Sequence, residues 1–153
     1  MHFEREITPG VTIADQPTRA DLETLKAAGY VGVVNLRQDG EPEQPIGVAD
    51  EGRMATELGL AYHHLGVGSP GLDPGQVAAF CDFVDQQAAN GGKVLVHCRK
   101  GGRAAALVLV QQARAQGWSA DEAAAKGLAI GLEVDGGLRT LAETQIRNSA
   151  RSS

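Results

Sequence analysis

Apolar and polar positions along the chain switch between two periods. Residues 11–14 (VTIA) are a short apolar run followed by a turn at 15–17, which predicts a brief strand. Thr18, with Asp21 three residues on, reads as a helix N-cap approximating a capping box. Leu22, Leu25 and Ala28 then mark one helical face, and Gly29 closes it. Residues 30–36 (YVGVVNL) form a β-branched apolar run of the kind found in buried parallel strands. A loop over 37–47, holding Gly40, Pro42, Pro45 and Gly47, precedes a predicted helix at 49–58 and a third strand at 60–65.

The second half repeats the alternation. A Gly/Pro-rich loop at 66–74 leads into a helix with Asp73 as N-cap and Pro74 at its first position. Val77, Phe80, Cys81 and Val84 give that helix its apolar stripe, and Gly91-Gly92 stops it. Residues 93–97 (KVLVH) are a short strand, 98–102 a tight loop, and 103–116 a helix with Ala, Leu and Val on its inner side. Ser119 with Glu122 forms another capping box for a helix to about Ala129, and a last helix covers 137–147. The residues from 148 onward are small and polar, and are expected to fray. Strands alternating with helices imply a mostly parallel sheet covered by helices, with ligands at the carboxyl ends of the strands.

Length and composition narrow the picture. The 153 residues are expected to form one domain. Net charge is −5, and no long Lys/Arg run marks a nucleic-acid face. No apolar run reaches bilayer length, and residues 1–6 are too polar for a signal peptide, so a cytoplasmic location is the default expectation with no membrane partner. The two cysteines form no metal-spaced cluster, so neither a metal nor another cofactor is expected.

One stretch carries chemistry: His97-Cys98-Arg99-Lys100-Gly101-Gly102-Arg103. A strand delivers Cys98 to the sheet edge, and two glycines allow backbone N–H groups to turn inward. A helix N-terminus then adds its own free donors. Such surroundings hold an anion and favour a thiolate, which makes Cys98 the candidate nucleophile. Arg103 offers a planar fork to an oxyanion. Arg99, Lys100, Gly101 and Gly102 are candidate substrate-binding residues, and the three nearby cations in an acidic chain point to a small anionic ligand. His97 reads as a loop-orienting residue whose ring bonds backbone near Cys98. Cys81, on an apolar helix face, reads as core. His63 and His64 read as structural, one facing in and one out.

The same loop resembles that of cysteine-dependent phosphatases of the dual-specificity type. Asp15-Gln16-Pro17-Thr18, Val33-Val34-Asn35-Leu36-Arg37 and Glu41 extend the likeness. The chain is more closely similar to the bacterial phosphatase-like domain found in beta-lactamase-hydrolase-like proteins. The resemblance implies a three-layer α/β fold with a mostly parallel central sheet of about four strands. It implies a phosphatase in which Cys98 attacks phosphorus to form a thiophosphate, Arg103 clamps the oxyanion and an acid protonates the leaving group. For that acid Asp73, Glu41 and Asp39 are the candidates. Four residues separate Cys98 from Arg103 where such loops have five, and Ala104 stands where a hydroxyl residue follows the arginine. The short loop also resembles that of rhodanese-type sulfurtransferases, so a persulfide on Cys98 is the alternative. A non-catalytic phosphate-binding module is the third reading.

Overall fold

A computed structural model describes residues 1–68 and 72–151. Among the described residues, five strands and six α-helices follow one another as β1 (Glu4–Thr8), β2 (Val11–Ala14), α1 (Arg19–Ala27), β3 (Tyr30–Asn35), α2 (Val48–Glu57), β4 (Ala61–His64), α3 (Pro74–Ala88), β5 (Lys93–His97), α4 (Gly102–Gln116), α5 (Ala120–Ala129) and α6 (Gly136–Arg151). The sheet order is β1-β2-β5-β3-β4. β2, β5, β3 and β4 are mutually parallel, and β1 is antiparallel to β2.

The alternation of side chains along β5 builds the three layers. Val94 and Val96 face one core, with the buried residues of α3 and α4, while Leu95 faces a second, with Leu22 and Leu25 of α1 and Ala55 of α2. Both predicted capping boxes form, at Thr18/Asp21 and at Ser119/Glu122. The apolar stripe of α3 is buried as its spacing predicts.

Two expectations are corrected. The sheet has five strands rather than about four, because β1 was hidden in a polar stretch. Glu4, Arg5 and Glu6 are exposed and only Ile7 is buried, as suits an edge strand that shows most of its side chains to water. The last helix also runs further than 147, to Arg151, so Asn148 and Ser149 are helical rather than frayed. Of the Gly/Pro-rich loop, residues 69–71 lie outside the described residues, as do 152–153 of the tail.

Candidate active site

The reactive loop begins where the buried run of β5 ends. Cys98 continues the strand long enough for its N–H to reach the Ala14 carbonyl of β2 at 3.3 Å. The chain then turns through Gly101, whose φ of 103° lies in the left-handed region. A Cβ there would also sit 2.6 Å from the Phe3 ring, so conformation and space both demand glycine. The turn aims the Gly101 N–H at Cys98 Sγ, 3.0 Å away. Immediately beyond, the 15-residue helix α4 starts without a side-chain cap, leaving its first backbone donors to the loop.

Arg103 lies in the first turn of α4. Its Nη1 donates to Glu41 Oε2 at 2.8 Å and to the Val67 carbonyl at 2.9 Å, and its Nη2 donates to Glu41 Oε1 at 2.7 Å. Glu41 and the neighbouring Cys98 sulfur both favour its charged form, Glu41 most strongly. A guanidinium carries its N–H donors in a rigid fork. With the end-on pair on Glu41, the Nε–H and the second Nη2 hydrogen form the parallel edge that an oxyanion would use.

Paired with Arg103, Glu41 is held in its carboxylate form. The Arg103 guanidinium, followed by the Gln38 N–H and Arg37, holds its carboxyl down to about 2. Each of the other two candidate acids has one carboxylate oxygen engaged by backbone. Asp39 Oδ1 accepts the Val48 N–H at the start of α2, at 2.8 Å. Asp73 caps α3 through the Gln76 N–H at 3.2 Å.

The loop over 37–47 wraps around a fully buried arginine. Arg37 donates from Nε to Glu41 (3.1 Å) and from Nη1 to Gln16 Oε1 (2.9 Å) and the Glu43 carbonyl (3.0 Å); its Nη2 donates to the Pro42 carbonyl. Glu43 adopts a positive φ of 56°, unusual for a residue with a side chain, and its carboxylate pairs with Arg99. The expected excess of positive charge around Cys98 is thus largely matched. Glu41 answers Arg103, Glu43 answers Arg99, and Lys100 projects as an exposed cation.

His97 does not bond loop backbone as expected. Its ring turns away from the Cys98 side of the strand, and Nε2–H donates to Glu51 Oε2 at 2.6 Å, with both residues wholly buried. Glu51 Oε1 accepts from Gln16 Nε2 at 2.8 Å. Sequence reading missed Glu51, Gln16 and Arg37 as site residues. Glu51 left one signal: it lies one helical turn before buried Ala55, so it occupies a core-facing position of α2. His63 stacks on Phe83, with ring centroids 5.1 Å apart, and exposed His64 donates to the Arg37 carbonyl at 2.6 Å.

A cysteine at the carboxyl end of a central parallel strand, a tight glycine turn and an arginine at the head of the next helix make the frame of a phosphatase-like domain. Residues 4–115 match the family described as Beta-lactamase hydrolase-like protein, phosphatase-like domain, and the chain belongs to that family. It is 35% identical to the Beta-lactamase hydrolase-like protein of Agrobacterium fabrum over 108 residues, covering 70% of this chain and 24% of that protein. The chain therefore spans about a quarter of that relative's length. Human dual specificity protein phosphatase 26 is 36% identical over 112 residues, covering 68% of this chain and 48% of that protein. The crystal structure of PTPMT1 shares the fold, with a TM-score of 0.78 at 16% identity and 98% of each chain covered.

Proposed function

We propose that this phosphatase-like domain is a cysteine-dependent phosphatase with Cys98 as nucleophile. The observation that carries this reading is the Gly101 N–H aimed at Cys98 Sγ, ahead of an uncapped helix and beside Arg103. The thiolate sulfur gives its electron pair to phosphorus, an S–P bond forms, and the P–O bond to the leaving group breaks. Arg103, through Nε and Nη2, and the loop N–H groups hold the remaining oxygens. Water then attacks phosphorus, the S–P bond breaks, and phosphate departs with the thiolate restored.

The leaving oxygen takes the electron pair of the broken bond, and in this reading none of Glu41, Asp39 and Asp73 protonates it. Residues 65–72 (LGVGSPGL) contain no acid either. The reaction then favours substrates whose leaving group is a weak base, such as an aryl or acyl phosphate.

The same two features support a second reading, sulfur transfer. Cys98 attacks the sulfane sulfur of thiosulfate, an S–S bond forms, and sulfite leaves with the bonding pair. No proton is needed, and a four-residue loop makes a smaller cradle. Intact-mass measurement after separate incubation with an aryl phosphate and with thiosulfate decides between them. Cys98-dependent phosphate release without a stable persulfide establishes the phosphatase. A sulfur adduct on Cys98 with no phosphate release establishes the sulfurtransferase.

A further inference from the structure

Glu51, Gln16 and Arg37 lie outside the anion cradle, yet they complete an unbroken polar chain between its two ends. It runs from His97 Nε2 to Glu51 (2.6 Å), from Glu51 to Gln16 Nε2 (2.8 Å) and from Gln16 Oε1 to Arg37 Nη1 (2.9 Å). It continues from Arg37 Nε to Glu41 (3.1 Å) and from Glu41 to both Nη atoms of Arg103 (2.7 and 2.8 Å). His97 precedes the nucleophile and Arg103 ends its loop, so the chain joins the two ends of the loop and, with the backbone between them, closes a ring.

Two physical features make this ring stiff. Arg37, Glu51 and His97 are wholly buried, so a polar atom that lost its partner there would find no water to replace it. Gln16 is fixed in orientation as well. Its amide N–H₂ meets a carboxylate and its oxygen meets a guanidinium, so a flip would set donor against donor and acceptor against acceptor. The Glu51 contact likewise fixes His97 as the Nε2–H tautomer. Displacement at one end therefore strains the other.

We propose that Glu51 and Gln16 are positioning residues that hold Cys98 and the Arg103 clamp in register as one unit. This rests on the reading of Cys98 and Arg103 as nucleophile and clamp. The test compares alkylation of Cys98 in the full chain by iodoacetate, an anion, and by neutral iodoacetamide, with peptide mapping to separate Cys98 from Cys81. The ratio of the two rates reports how well the clamp is set beside the thiolate. It does not depend on which reaction the protein catalyses. Gln16→Leu and Glu51→Gln each lower that ratio, and lower kcat/KM, by about tenfold while thermal melting stays cooperative. The double variant falls no further than the worse single variant, because one break already opens the ring.

Ratios within twofold of wild type in folded variants overturn the proposal. If Gln16→Leu fails to fold, Gln16→Met, which keeps side-chain length and bulk, carries the same comparison. A wild-type protein that prefers iodoacetate strongly yet turns over neither phosphate ester nor thiosulfate defeats the functional reading while leaving the positioning claim to be judged by the ratios.

Discussion

Cys98 and Cys81 are equally buried, each about 1% exposed, and their surroundings could hardly differ more. Cys81 sits on the apolar stripe of α3, where burial pushes its thiol up to about 11 despite the opposing pull of nearby Arg114. Cys98 sits at the end of a strand with an N–H on its sulfur, a helix N-terminus ahead of it and a guanidinium alongside. Lack of solvent contact therefore says nothing about reactivity. What separates the two sites is the set of donors that the backbone turns toward one sulfur and withholds from the other.

The largest effects should fall on the Cys98 side. Cys98→Ser is expected to cost at least about 10³-fold in turnover, because a hydroxyl without a nearby base is a poor nucleophile. Turnover by that variant within tenfold of wild type would remove the sulfur from the mechanism. Arg103→Ala is expected to cost about 10²- to 10³-fold in kcat/KM, the usual loss when a preorganised donor to a developing oxyanion disappears. Steady-state kinetics on an aryl phosphate reads both.

A smaller effect sharpens the same contrast by asking what the Cys98 site lacks. Across a series of aryl phosphates, kcat/KM should fall steeply as the leaving phenol becomes more basic, since Glu41 is held by Arg103 and Asp39 and Asp73 each accept a backbone N–H at a helix start. A flat dependence would show that a proton donor reaches the leaving oxygen after all, with His64, on the carboxyl end of β4, the first residue to test.

Why the Cys98 loop was legible and its support was not follows from distance along the chain. Cys98, Gly101 and Arg103 are contiguous, and a strand–glycine–helix order reads directly as an anion cradle. The parallel strands and helix caps were legible for the same reason, since period and capping chemistry are local. The residues that hold the cradle come from positions 16, 37, 41 and 51, and only the crossovers of the sheet bring them together. Nothing within any one of those segments says that Glu41 meets Arg103 or that Glu51 meets His97. β1 escaped for the opposite reason: as an exposed edge strand it has too few buried positions to show a period.

The acidic partner of the clamp has its own pH signature. Glu41 has its carboxyl lowered from 4.5 to about 2 by Arg103 first of all. A group whose folded value is depressed stabilises the fold above its unfolded value and ceases to do so as pH falls through the folded one. Glu41→Gln should therefore cost about 2–3 kcal/mol at pH 7, and the gap from wild type should narrow between about pH 5 and pH 2. Denaturant unfolding at several pH values measures it. A gap that stays constant across that range would mean that the Glu41–Arg103 pair contributes through shape and not through charge.

The smallest effect belongs to the other cysteine. Cys81→Ala removes only a sulfur from a core stripe shared with Val77, Phe80 and Val84, leaving a small cavity worth about 1–2 kcal/mol. It places no new polar group in the core, and the altered side chain is not among those that hold the reactive loop. Thermal melting should shift down by a few degrees while kcat and KM stay within error of wild type. A loss of turnover larger than the loss of folded protein would mean that α3 transmits its packing to the loop, and the two sulfurs could no longer be treated as independent.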